Sequence, residues 1–290
     1  MASMPCHFFR ILSWDQVNTM KVTVLVDTND GEGLKGEWGL SFYIEYNGLK
    51  VLLDAGLSPL FATNAGKLGI DLNSVDMAVL SHAHDDHANG LDTFLDLNDH
   101  AKLYVAEGCE ENCYDRPGFF YKYAGIPRGI MKRRADRIVK ATPDTMIAEG
   151  VRLLGHSTPG LEKLGLAEKM FLRQGFMKYI PDDFRHEQSL IFELDDRVAV
   201  FNSCSHAGAD NIINEAMAAY PGKKIAAMIG GFHLFNKDDD YVRAFARRVG
   251  DTGVETVITG HCTGKKAMEI LREELGDKVQ ELRTGLVFEL

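Results

Sequence analysis

At 290 residues and 45% hydrophobic side chains, the chain can bury a large core, either as one sizeable domain or as two fused halves. A formal net charge of −10 and a pI near 5.5 exclude a general nucleic-acid binder and suit a protein that acts on something small. No apolar run approaches the roughly 18 residues of a membrane helix. The cysteines, Cys6, Cys109, Cys113, Cys204 and Cys262, are odd in number and scattered, which argues against a disulfide framework and for a reducing, cytoplasmic setting.

Residues 1–19 lack a sustained apolar stretch and a small-residue cleavage site, so they read as an N-terminal extension and not as a secretory signal. Residues 20–290 are expected to form a single domain. A strand over residues 21–27 opens it. Residues 40–46 and 50–54 pair as a hairpin on Asn47-Gly48, a dipeptide suited to a type I′ turn. A helix over residues 59–68 follows. Then the apolar run Met77-Ala-Val-Leu80 leads straight into Ser81-His-Ala-His-Asp-Asp-His-Ala-Asn-Gly90. Three of the ten histidines, His82, His84 and His87, fall within six residues there, with Asp86 among them. Imidazole and carboxylate donors at i, i+2, i+4 and i+5 of a loop can converge on two points a few ångströms apart, and such a set suits zinc, iron or manganese.

A helix over residues 91–97 and a strand over 102–106 continue the order. Residues 109–186 interrupt it with the aromatics Phe119, Phe120, Tyr121 and Tyr123 and with a basic run over 128–140. The reading is an insertion that covers the metal loop as a lid. Within the run, Arg133, Arg134 and Arg137 are candidates to bind the substrate, because Arg suits bidentate contacts to phosphate or carboxylate, with a solvated helix face as the alternative. Residues 189–194 and 198–202 make a second hairpin ending at Cys204-Ser-His206. Helices over 209–219, 241–249 and 264–275 alternate with strands over 224–229 and 254–259, and a strand over 286–290 closes the chain. Three apolar strands of this half each end in glycine or another small residue and then histidine, as a metal site between two sheets requires. His7 and His100 are expected at the surface.

His82-x-His84-x-Asp86-His87 after a short strand resembles the signature of the metallo-β-lactamase superfamily. Cys204-Ser-His206, Gly230-Gly-Phe-His233 and Thr259-Gly-His261-Cys-Thr resemble one branch of it, described as dihydropteroate-synthase-like or as a synthase of a dihydropterin–ribofuranosylaminobenzene phosphate. The resemblance runs from about residue 20 to the C-terminus and implies an α/β fold, an αββα sandwich. It also implies one or two divalent metal ions, zinc first, with iron or manganese as alternatives. His82 and His84 would hold the first ion with a later histidine, and Asp86 and His87 the second with His261. His206 is the preferred later histidine. His186, just before the second hairpin, and His156, in a Gly-His-Ser-Thr-Pro-Gly stretch, stay open as alternatives. Cys204 stands where other members carry a bridging aspartate, a departure that leaves double occupancy open. His233 is expected either to support the ligands or to act on the substrate and not to coordinate directly, and Asp86 and His233 are the expected catalytic residues.

A divalent metal lowers the pKa of bound water from about 15.7 to near 7. The first expectation is therefore hydrolysis of a small anionic ester, lactone or phosphoester. The second is a non-hydrolytic transfer, as the branch description implies, and the third a metal-stabilised binding protein. Nothing in the sequence sets the oligomeric state.

Overall fold

The computed structural model of the protein describes residues 19–290, so the expected N-terminal extension lies outside the described residues apart from Thr19, as does His7. Two seven-stranded sheets carry the fold. In the first, the order is Val287–Glu289, Met20–Val26, Ser41–Tyr46, Leu49–Leu53, Met77–Val79, Lys102–Ala106 and Ile138–Ala141. In the second, it is Val279–Glu281, Thr256–Thr259, Lys224–Gly230, Arg197–Phe201, Gln188–Leu194, Val151–Gly155 and Thr145–Ala148.

Alternation along the strands separates three buried layers. Phe42, Ile44 and Leu53 of the first sheet meet Phe192, Phe201 and Ile229 of the second, with Phe42 and Phe201 edge to face at 5.7 Å. The intervening residues Tyr43 and Leu52 face the other way, against Phe61 and Phe94 of the helices Leu60–Lys67 and Leu91–Leu97. On the far side, Val198, Val200 and Met228 pack on Ile212, Phe245 and Leu271 of the helices Ala209–Ala219, Asp239–Asp251 and Lys265–Leu275. Helix, sheet, sheet, helix is the expected αββα sandwich. Asn47 and Gly48 both hold positive φ (50° and 84°), as the type I′ turn between the first paired strands demands.

The insertion expected over residues 109–186 needs correcting. Ile138–Ala141 closes one edge of the first sheet, and Thr145–Ala148 and Val151–Gly155 close one edge of the second. The chain therefore crosses between the sheets inside the supposed lid. Only Cys113–Asp115, Lys122–Tyr123, Met170–Gln174 and Lys178–Pro181 stand apart, as a small four-stranded sheet.

The basic run is corrected too. Arg133 donates to Asp92 at 2.6 Å, and Arg134 pairs with Asp92 and Asp96, both acids on the Leu91–Leu97 helix. Arg137 donates to the carbonyls of Ala101 (2.8 Å) and Asn98 (2.9 Å). These guanidinium groups brace an outer helix and its following turn, so they are not the substrate contacts expected of them. Replacing all three should lower stability, chiefly through Arg137, whose bonds to part-buried carbonyls are worth about 1–2 kcal/mol, since exposed pairs contribute little. Denaturant melts of the single and triple variants check this: a triple variant as stable as the parent would contradict it.

Candidate metal centre

The Met77–Val79 strand carries the chain into the metal loop, and a single helical turn, Asp85–Ala88, follows His84. Asp54, at the end of the first hairpin and fully buried, organises this loop. Its Oδ1 accepts the Ser81 N–H at 2.7 Å, and its Oδ2 accepts the Ser81 hydroxyl at 2.7 Å and His87 Nδ1–H at 2.8 Å. With the Ser81 proton committed to Asp54, the Ser81 oxygen takes the Nδ1–H of His82 at 2.8 Å. Both rings are thereby fixed with Nδ1 as donor, which turns Nε2 towards the cluster, the usual preparation of a histidine ligand.

His261 arrives from the Thr256–Thr259 strand of the other sheet. Its backbone N–H donates to Asp27 at 2.9 Å, Thr28 Oγ1 lies 3.2 Å from its Nδ1, and its Nε2 lies 3.3 Å from Asp86. His206 is set by Glu187, whose two oxygens accept the N–H groups of His206 (2.9 Å) and Ala207 (3.0 Å). Its ring stacks on Phe184 at 4.3 Å. Asp54, Ser205, His233 and His261 all hold positive φ, between 46° and 59°, a conformation that side chains adopt sparingly and that gathers at functional sites.

His82, Asp86 and His87, then His82, Cys204 and His206, and also His87, Cys204 and His261 form sets whose donor atoms lie within 4.8 Å of one another. The Nε2 of His82, the Nε2 of His261 and both ring nitrogens of His206 are buried without a hydrogen-bond partner. Such orphans are costly unless something else occupies them. Burial holds His82 and His206 well below the ordinary imidazole value, so both rings are neutral and ready to coordinate. Burial also works against a charged His87, but Asp86 and Asp54 outweigh it and push its pKa up to about 10. An environment that attracts a proton so strongly attracts a metal cation as well. The donor chemistry fits a divalent metal.

His84 lies beside this cluster, its ring 4.7 Å from that of His82 and 5.1 Å from that of His206. It also belongs to a second buried group with Cys113, Asp182 and His186. In that group His186 accepts the Ala83 N–H at 3.2 Å with Nδ1, and its Nε2 lies 3.0 Å from Asp182. Both its nitrogens are occupied, and Asp182 stands 3.8 Å from His84 Nε2. His156 sits elsewhere. Its Nδ1 is 2.8 Å from Glu215, its Nε2 is 3.0 Å from Asn202, and it lines a separate cavity of about 660 Å³. His206→Ala should therefore cost the protein metal that His156→Ala does not, as elemental analysis of the two variants can read. The reverse result would move the third ligand to His156.

A narrow cavity of about 180 Å³ opens onto the cluster, lined by His84, Asp86, Cys204, His206, His233 and His261, with Asp115, Ala124 and Met170 brought over it by or beside the small sheet. Trp38 and Phe235, half exposed and edge to face at 5.4 Å, flank it. His233 is a cavity residue. Its ring is 4.7 Å from that of His206, and its Nε2 is 3.6 Å from Glu168. No Lys or Arg is among the lining residues. Sequence reasoning missed Ser81, Asp182 and Glu187 as positioning groups, and Asp54 as more than the end of a strand. Among the described residues, no helix is long and apolar enough to cross a membrane.

Two facing sheets between helix layers, with histidine and aspartate donors gathered at the strand ends, define an αββα sandwich with a candidate metal centre. The profile of the metallo-β-lactamase superfamily matches residues 39–166. A solved structure of Tm1679, described as a metal-dependent hydrolase of the β-lactamase superfamily, is 29% identical, with a TM-score of 0.78, over 93% of this chain and 99% of that one. Zn(2+)-bound PqqB from Methylobacterium extorquens shares the fold at 13% identity and a TM-score of 0.56, over 93% of this chain and 100% of that one. Residues 39–166 therefore carry a metallo-β-lactamase superfamily domain, and the chain as a whole shares the fold of Tm1679. It is also 25% identical, over 96% of its length and 99% of the relative's, to the 7,8-dihydropterin-6-methyl-4-(beta-D-ribofuranosyl)-aminobenzene-5'-phosphate synthase of Methanocaldococcus jannaschii.

Proposed function

We propose that the protein is a metal-dependent hydrolase of a small substrate, with one ion held by His82, His84 and His206 and a second by Asp86, His87 and His261. The observation that carries this reading is the set of buried, unpartnered ring nitrogens on His82, His206 and His261, the last two lining one cavity. A divalent ion there would supply a water acidified to a pKa of about 7 and a Lewis acid for the electrophilic oxygen. The protein's own groups do the rest. Trp38 and Phe235 narrow the entrance and exclude bulk water, which strengthens every polar contact within. His233, with Glu168 behind it, stands where it can hold a proton for the departing group. The negative charge expected of the substrate would have to be met by the metal ions, since the arginines once expected to meet it are paired elsewhere.

A panel of esters, lactones and phosphoesters offered to the zinc-loaded protein tests the reading. Turnover should vanish with a chelator and return with zinc, and His233→Gln should lower kcat while leaving metal content unchanged. Turnover that survives chelation, or none across the panel with metal bound, would contradict it. The full-length similarity to the synthase favours a second reading, transfer between two organic substrates. Initial rates that require both, with no hydrolysis of either alone, would select it.

A further inference from the structure

We infer that Cys204 is a ligand shared by both metal positions, its thiolate bridging them. The inference rests on the two-ion reading above and adds the one donor which that reading leaves out. Cys204 Sγ is the atom common to the set with His82 and His206 and to the set with His87 and His261. It lies 3.3 Å from His87 Nε2. Thiolate and imidazole on one tetrahedral ion, at bond lengths of about 2.3 and 2.0–2.1 Å, stand roughly 3.5 Å apart. The sulfur is buried, with the cysteine 3% exposed. Its loop is held: the Ser205 N–H donates to Asn202 Oδ1 at 2.7 Å, and Ser205 turns the chain sharply at φ 53° between Cys204 and His206.

Cys262 is the competing sulfur, 3.5 Å from Cys204 Sγ. It accepts the His233 N–H at 3.2 Å and is grouped with His233 and Cys204, but with no histidine of the 82–87 loop. Gly231 lets it pack there, since a Cβ at that position would stand 2.5 Å from its sulfur. Cys262 therefore lies beside the bridge and not within it. A sulfur bridge also narrows the choice of metal, because thiolate favours zinc or iron over manganese or magnesium.

The test is cobalt(II) loading under a phosphine reductant, which keeps Cys204 and Cys262 from oxidising to each other. The parent should bind two cobalt ions per chain and show an intense thiolate-to-cobalt charge-transfer band in the near ultraviolet. Cys204→Ser should lose the band and part of the cobalt. Cys204→Asp should keep the cobalt without the band, and Cys262→Ser should keep both. Bound cobalt with no band in the parent, or a band that survives Cys204→Ser and disappears in Cys262→Ser, would overturn the bridge. Failure to take up cobalt would overturn the metal centre with it. A band without hydrolysis of any substrate upholds the bridge and overturns only the reading of the reaction.

Discussion

Asp54→Ala is expected to destabilise the protein by about 3–6 kcal/mol and to empty the second metal position. Three buried donors, the Ser81 N–H, the Ser81 hydroxyl and His87 Nδ1–H, lose their acceptor at once. Each unsatisfied group costs about 1–3 kcal/mol, and the costs overlap because the groups share a network. The metal effect is separate. Without the carboxylate, His87 loses the partner that fixes its tautomer, and removing such a partner typically lowers metal affinity about 10–100-fold. Asp54→Asn separates the two effects, since its amide oxygen can still serve Ser81 while its NH₂ cannot accept from His87. It should recover much of the stability and little of the metal. Denaturant unfolding beside elemental analysis measures both, and an Asp54→Ala protein with parental stability and metal content would sink the argument.

Glu187→Ala should remove metal selectively from the other position. The Glu187 carboxylate is 2% exposed and accepts two backbone N–H groups that shape the His206 turn. Bonds to a charged acceptor contribute about 1.5–3 kcal/mol each, so a loss of roughly 3–5 kcal/mol is expected. His206 would lose its fixed place, and the protein should bind one metal ion fewer per chain. Glu187→Gln, which keeps one acceptor oxygen, should fall between the two. If Glu187→Ala binds as much metal as the parent, His206 does not depend on this brace.

Much of the fold was legible because its signals are local. Asn47-Gly48 marks its own turn, and the Leu91–Leu97 helix and Lys102–Ala106 strand lie where their patterns put them. The histidines are legible as a cluster because each follows an apolar strand, and the structure brings together His82, His84, Asp86, His87, His206 and His261. Residues 109–186 were not legible as parts of two sheets. The partners of Ile138–Ala141 and Val151–Gly155, at Lys102–Ala106 and Gln188–Leu194, lie more than 30 positions away along the chain, and no local pattern announces such pairing. The basic run failed for a related reason. Arg134 carries the same charge whether it awaits a substrate or pairs with Asp96, 38 residues earlier. Buried carboxylates such as Asp54, Asp182 and Glu187 look, in sequence, like surface ones.

The claim that this cluster is a metal centre is tested most directly by elemental analysis of the purified protein beside His84→Ala and His100→Ala. His100 is exposed and its imidazole pairs with Asp99, so it controls for the loss of an imidazole as such. The parent and His100→Ala should carry the same divalent metal content, and His84→Ala much less. Equal metal in all three proteins, or none in the parent after incubation with zinc, would contradict the centre described.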